Sequence, residues 1–159
     1  MTPLDLIRLL RDDLERLYAD LRLPDSVGKE KAPAVYLNEL PIIPSTTESL
    51  PDSYASPPYI IVRSTGWSGG YTGEPRGIDV MVLFSVYCNE KDRDGATAIL
   101  NMFERLYLRF GKNHYIGNFE ISDEGMNCAL TDEDTYPYFF GGASMKFLAP
   151  SVIQQDPLA

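Results

Sequence analysis

The clearest pattern of apolar and polar positions lies between residues 77 and 110. Apolar side chains fill the even positions of its first part: Ile78, Val80, Val82, Phe84, Val86 and Cys88. A period of two places them on one face of a strand. Beyond a charged turn, apolar residues recur at helical spacing: Ala96, Ile99, Leu100, Phe103, Leu106, Tyr107 and Phe110. This spacing predicts an amphipathic helix, with Asp92 or Asp94 as its N-cap and Gly111 as its left-handed end. Both elements use their side chains for packing.

Another helix is predicted at the start of the chain, over residues 2–23. Its apolar positions recur every three or four residues: Leu4, Ile7, Leu10, Leu14, Leu17 and Leu21. Thr2 can cap this helix, and proline is tolerated at its first position. Asp5 favours the positive end of the helix dipole. Pro24 is expected to end the helix, because proline interrupts helical hydrogen bonding.

Residues 24–58 form a proline-rich segment, which contains seven of the twelve prolines of the chain. That density predicts an extended loop with one short strand at Ala34–Leu37. A loop of this length in a compact domain commonly serves a function. A linker that crosses one face of the domain explains the segment equally well.

A β-hairpin is expected after the proline-rich segment. Residues 59–65 are rich in β-branched and aromatic side chains and predict a strand. Five glycines among residues 66–77 predict a flexible connection to the strand that begins at Ile78. A glycine-rich loop that cradles phosphate runs into a helix N-terminus. Here a strand follows, so phosphate binding is not expected.

Three residues of this connection are candidate interface residues: Trp67, Tyr71 and Arg76. Their types are enriched where proteins meet. The alternative is a hairpin whose Trp67 ring packs back onto the sheet.

The last third of the chain predicts three more strands. Residues 115–121 and 126–130, joined by a turn at 123–125, are expected to form a hairpin. The final strand spans Tyr138–Leu148, with one face formed by Phe139, Ala143, Met145 and Phe147. Alternation turns Tyr138 and Phe140 outward, next to the bare backbone of Gly142. These outward rings indicate contact either with a neighbouring subunit or with a helix of the same domain.

Together these elements predict one α+β domain over residues 1–159. It comprises the helix at 2–23, the proline-rich loop at 24–58, and a sheet with the second helix at 59–150. Strands that are joined by hairpins imply an antiparallel sheet of four to five strands, with two helices packed on one face.

Composition narrows the function without identifying it. The 23 acidic and 14 basic residues give a net charge of −9, which argues against a nucleic-acid clamp built on clustered Lys and Arg. Cys88 and Cys128 have no metal-type spacing and are expected to be reduced and buried. No signal peptide and no membrane span are expected.

Reactive chemistry is not indicated either. His114 is the only histidine, and no partner for general-base catalysis is evident beside it. The acidic residues at 132–134 lack the spacing of a calcium loop and are expected to form a solvated turn. No catalytic, cofactor or metal residues are therefore assigned.

The chain resembles the tail terminator, or tail completion, proteins that join tail to head in long-tailed bacteriophages. The residues that carry the resemblance span most of the chain. They are the leucine-rich helix at Leu4–Leu21, Tyr59–Val62 with its glycine-rich loop, the strand-to-helix passage through Asn89 and Asp94, and the distinctive run Tyr136-Pro137-Tyr138-Phe139-Phe140-Gly141-Gly142.

The resemblance implies a structural, non-catalytic subunit of a homo-oligomeric, hexameric ring in the virion neck, assembled in the host cytoplasm. Such a ring caps the tail tube protein, contacts a head-connector or stopper protein, and lets DNA pass through its lumen without specific binding. Other readings remain open: another head-tail connector or minor capsid protein, a peptide or small-molecule binding module that uses the aromatic sheet face, or a hydrolase with its site in the long loop.

Overall fold

The computed structural model describes residues 2–26, 28–40, 57–71, 73–89, 95–132 and 135–150. Within them the chain forms two helices and eight strands. In chain order these are α1 (Pro3–Leu17), β1 (Leu23–Pro24), β2 (Glu30–Lys31), β3 (Ala34–Leu37), β4 (Tyr59–Ser68), β5 (Arg76–Tyr87), α2 (Gly95–Lys112), β6 (Tyr115–Ile116), β7 (Phe119–Leu130) and β8 (Tyr138–Ala149).

The main sheet has six strands in the order β3-β4-β5-β8-β7-β6, and β1 and β2 form a separate antiparallel pair. The α+β class is confirmed, but the expected four to five strands are too few. The sheet is also mixed, since β3 runs parallel to β4 while the other neighbours are antiparallel. Two further short strands are present: β1 begins at Leu23, inside the predicted helix, and β2 lies in the proline-rich segment, for which the sequence predicts only Ala34–Leu37.

The N-terminal helix begins as predicted and ends earlier. Thr2 and Asp5 form a reciprocal capping box, in which the Thr2 hydroxyl accepts from the Asp5 backbone N–H and the Asp5 carboxylate accepts from the Thr2 N–H. The helix ends at Leu17 rather than at residue 23. The reason is tertiary: Tyr18, the C-cap, is buried and donates its hydroxyl to the Met102 carbonyl at 2.6 Å.

The second helix runs past its predicted end. Gly111 and Lys112 are both helical, so Gly111 is not a left-handed stop. The predicted caps Asp92 and Asp94 lie outside the described residues. The final turn is held by Arg109, whose guanidinium donates to the carbonyls of Asn113 and Tyr115.

The predicted hairpin over residues 115–130 is wrong. Phe119–Leu130 is one long strand, paired with β8 on both sides of a register shift between Ile121 and Met126. Gly125 lies within this irregularity at φ 77°, a left-handed conformation that glycine adopts without steric cost. The glycine that suggested a turn therefore belongs to a bulge.

The core lies between the two helices and one face of the sheet. All even positions predicted to be buried, from Ile78 to Cys88, are buried. Phe84 lies at the centre, with edge-to-face contacts to Tyr18 at 6.1 Å and to Phe103 at 5.3 Å between ring centroids. The sheet curls around this core, so α1 contacts both the β3 edge and the β6 edge. None of the described helices is long and apolar enough to cross a membrane.

Candidate interaction surfaces

The first surface is the end of the β4–β5 hairpin. The two strands remain paired as far as Ser68 and Gly77, beyond a register shift between Ser64 and Gly66. Trp67 pairs with Ile78 and shares its face of the sheet. The Arg76 guanidinium carbon lies 5.2 Å from the centre of the Trp67 ring, at cation–π distance.

This hairpin end extends beyond the helical layer. Ile78 is fully buried, whereas its neighbour Trp67 is 58% exposed. Tyr71, at the tip, is 99% exposed. The Trp67 ring therefore stacks on Arg76 of the neighbouring strand and lies mostly outside the core. A bulky, largely apolar group held in solvent on a two-stranded arm is a candidate contact site.

The second surface lies at the opposite end of the sheet. The Tyr138 ring packs edge-on against the Tyr87 ring at 5.5 Å between centroids. Phe140 is half-buried and pairs across the strands with the buried Ser85. Among the described residues, both rings therefore contact their own sheet. The expected alternative of contact with a helix of the same domain is wrong, because both rings lie on the face of the sheet that carries no helix. Contact with a neighbouring subunit stays a prediction.

The five predicted interface residues do not form one site. β5 separates the two groups by eleven residues, which at about 3.3 Å per residue is roughly 36 Å. Trp67 and Arg76 lie on the face that carries the helices, whereas Tyr138 and Phe140 lie on the other face. The hairpin end is the more exposed of the two surfaces.

A groove between the helices holds charged residues that sequence reasoning missed. Arg109 donates to the Asp13 carboxylate at 2.7 Å, and both side chains are mostly buried. Arg105 donates to Asp20 at 2.9 Å and to the Leu17 carbonyl. The hydrogen bond and charge of Arg105 lower the pKa of the Asp20 carboxyl. The groove encloses about 650 Å³, and its arginines are used to tie α1 to α2.

The remaining titratable residues are dispersed. His114 follows α2 in an exposed position and lines a cavity of about 240 Å³ together with Ser122 and Asp123. Within the described ranges, no three potential metal-ligating side chains come together. Both cysteines are free. Cys88 is buried as expected, but the expectation for Cys128 is wrong, since it lies exposed on β7.

The edges of the main sheet form a third surface, also missed from sequence. β6 pairs only with the first two residues of β7. From Met126 to Leu130, β7 has β8 on one side and no strand on the other within the described part of the chain. At the opposite edge, β4 is the only strand that pairs with β3 among the described residues. Predicting a hairpin over 115–130 concealed this edge, because it assigned the segment a partner strand.

Comparison with known proteins adds no assignment. No protein-family model matches the chain, and a search of curated proteins finds no match. The functional conclusion therefore rests on the residues and on their geometry.

Proposed function

We propose that the protein is a structural component of a bacteriophage neck, a tail terminator that caps the tail tube and joins it to the head through a ring of identical subunits. The observation that carries this proposal is the exposed aromatic end of the β4–β5 hairpin. Its shape suits docking onto a partner, because an arm that is anchored in the sheet presents Trp67 and Tyr71 beyond the helical layer.

The construction of the hairpin supports a contact function. β5 is paired with β8 along its whole length, from Arg76 to Tyr87, so the base of the arm is rigid. The tip contains Gly69 and Gly73, the latter at φ 89°. A rigid base with an adaptable tip can order on contact with a tube subunit at low cost to the fold.

The charge of the chain fits a DNA conduit. Each subunit carries a net charge of −9, and a ring of subunits multiplies that charge around a central channel. Such a field repels DNA phosphates instead of retaining them. The arginines of the groove between the helices are neutralised by Asp13 and Asp20, so they add no basic patch to this field.

The test is a complementation assay with variants of the hairpin end. Trp67→Ala, and separately deletion of residues 69–73, should leave the chain folded and sharply reduce the joining of tails to heads. Tyr107→Ala is the matched control, since Tyr107 is an equally exposed aromatic residue, 60% accessible, on α2. Joined, infectious particles at normal yield from the Trp67→Ala variant would contradict the role of the arm.

The ring itself is tested by mixing the purified chain with the tube protein of the same genome. Electron microscopy should show tubes of finite length, each closed by one ring of this chain. The mixture is needed because a terminator can remain monomeric until it meets the tube, so light scattering of the chain alone is not decisive. Tubes that continue to elongate in the presence of the chain would refute the terminator function.

A further inference from the structure

Within the described residues, backbone hydrogen-bonding groups of the β7 edge have no strand partner. The Thr131 N–H donates to the Phe140 carbonyl at 3.0 Å, and the register of β7 with β8 continues this pairing. In an antiparallel ladder, alternate residues bond to the same neighbour. Asn127 and Ala129 therefore bond to β8, while the N–H and C=O groups of Met126, Cys128 and Leu130 point away from it.

This edge lacks the devices that protect exposed strands. Charged side chains, prolines and short lengths are the usual protection against strand addition. The segment 126–130 contains neither a charge nor a proline. The bulge that could twist an edge away lies before it, between Ile121 and Met126. Such an edge is suited to receive another strand.

The β3 edge offers a matching strand. The N–H groups of Ala34 and Asn38 donate to the Pro58 and Val62 carbonyls of the β4 side. By the same alternation, the backbone groups of Val35 and Leu37 point outward. The segment Ala34–Leu37 is also uncharged, and it is bounded by Pro33 and by Asn38 at φ 62°.

Strand direction and face agree between the two edges. β3 and β4 run one way, β5 runs the other, β8 reverses again, and β7 opposes β8. When subunits are related by rotation about an axis along the strands, β7 of one copy therefore meets β3 of the next in antiparallel orientation. The residues whose backbone groups point outward, Met126, Cys128 and Leu130 on β7 and Val35 and Leu37 on β3, have their side chains on the helix side of the sheet. Pairing of the two strands would therefore keep the helix-covered face of one subunit continuous with that of the next.

Charge favours the same contact. Two chains of net charge −9 repel one another, and contacts that bring acidic side chains together are disfavoured. The two edge segments are both free of charge, which lets backbones approach without opposing carboxylates.

We propose that Met126–Leu130 pairs antiparallel with Ala34–Leu37 of a neighbouring copy, so that the sheet continues across each subunit boundary. This inference rests on the ring of the proposed function and names the contact that builds it. Side chains of Asn127 and Tyr36 then lie opposite each other on the face without helices. A shift of the register by two residues places Ala129 opposite Tyr36 instead.

Paired cysteines test this contact. In a Cys128→Ser background, Tyr36→Cys is combined with Asn127→Cys or with Ala129→Cys. Directly opposite residues of a pair without mutual hydrogen bonds lie about 4.5 Å apart between Cα atoms, within the range of a disulfide. Mild oxidation should give a ladder of covalent oligomers from one of the two combinations. Tyr36→Cys with Thr97→Cys, an exposed position on α2, is the control and should give none.

Two results would overturn the proposal. One is the failure of both combinations to cross-link in assembled rings. The other is a dimer from Asn127→Cys or Ala129→Cys without Tyr36→Cys, because it would show β7 pairing with itself about a two-fold axis.

A second pair of variants tests whether the backbone N–H of residue 128 contributes to the contact between subunits. Cys128→Pro removes an N–H that points to the edge and fixes φ at about −65°, whereas Cys128→Ser keeps the N–H. The proline should weaken each subunit contact by about tenfold, as expected for one lost ladder bond with its carbonyl left unpaired. The serine should assemble normally, and unfolding curves of both confirm that they fold. Equal assembly of the two variants would overturn the proposal.

Failure of this inference and failure of the proposed function are distinguishable. Closed rings on tubes without cross-links would remove the edge contact and keep the terminator function. Cross-linked open chains that do not stop tube growth would keep the edge contact and remove the terminator function.

Discussion

At the Tyr87 end of β5 aromatic rings pack against one another, whereas at the Arg76 end they project into solvent. Phe84 is enclosed by Tyr18 and Phe103, while Trp67 has the Arg76 guanidinium over its ring and remains mostly exposed. The same residue types therefore have two roles along one hairpin. The difference shows that the aromatic content of a strand does not separate core positions from exposed positions, and that the extent of the helical layer does.

Among the substitutions that test this comparison, Phe84→Ala is expected to have the largest effect on stability. Phe84→Ala removes a buried ring that contacts both the end of α1 and the middle of α2. The loss should be about 3–5 kcal/mol in the free energy of unfolding, measured by denaturant titration. A loss below about 1 kcal/mol would show that Phe84 is not central to the core.

Two adjacent glycines on β8, Gly141 and Gly142, test the same comparison with a smaller expected loss of stability. A Cβ at Gly141 would lie 2.8 Å from Ile99 Cγ2 and 2.9 Å from Phe103 Cζ, on the helix face. At Gly142 it would lie 3.3 Å from the ends of Leu83 and Met81, on the other face. Gly141→Ala should therefore destabilise the fold by about 1–3 kcal/mol through overpacking.

Gly142→Ala is the matched control, because flexible side-chain ends can move aside. Its free energy of unfolding should change by no more than about 0.5 kcal/mol. Equal losses for the two glycines would contradict the assignment of one face to the core and the other to the open side.

The smallest effect on stability is expected at the hairpin end. Tyr71→Ala should leave the thermal midpoint nearly unchanged, since Tyr71 is almost completely exposed, and surface substitutions change stability by about 0.5 kcal/mol or less. Calorimetry measures this midpoint. A fall comparable to that of Gly141→Ala would place the tip in the folding core and remove the basis for a contact arm.

Much of the fold follows from local pattern. The period of two at Ile78–Val86 corresponds to a buried face. The helical period is confirmed only in part: Ile99, Phe103, Leu106 and Phe110 are buried, whereas Leu100 and Tyr107, predicted on the same face, are exposed. The capping box at Thr2 and Asp5 is also legible, because it depends on residues three apart. These patterns predict the structure correctly because the residues that interact are close in the sequence.

The sequence predictions that were wrong share a different cause, because each depends on a contact between residues distant in the chain. The end of α1 depends on Tyr18 reaching Met102, 84 residues away. The local structure at Gly125 depends on pairing with β8, which determines whether the glycine closes a turn or lies in a bulge. Parallel pairing of β3 also depends on a distant strand. No local window contains these partners.

The candidate surfaces divide in the same way. Residue type predicted Trp67, Tyr71 and Arg76 as contact residues, and the structure leaves Trp67 and Tyr71 exposed at one end of the sheet. Residue type could not show that Tyr138 and Phe140 lie at the far end of the sheet, on the face without helices. It also could not show that residues 126–130 form an edge of the sheet.

The sequence by itself determined which face of the β5 strand is apolar, where the N-terminal helix begins, and that the chain is acidic, because these properties are carried by each residue and its near neighbours. Only the tertiary structure decided which aromatic rings are enclosed and which edge of the sheet lacks a strand. Enclosure and edge position are set by neighbours distant in the chain, whose positions become fixed when the helices pack on the sheet.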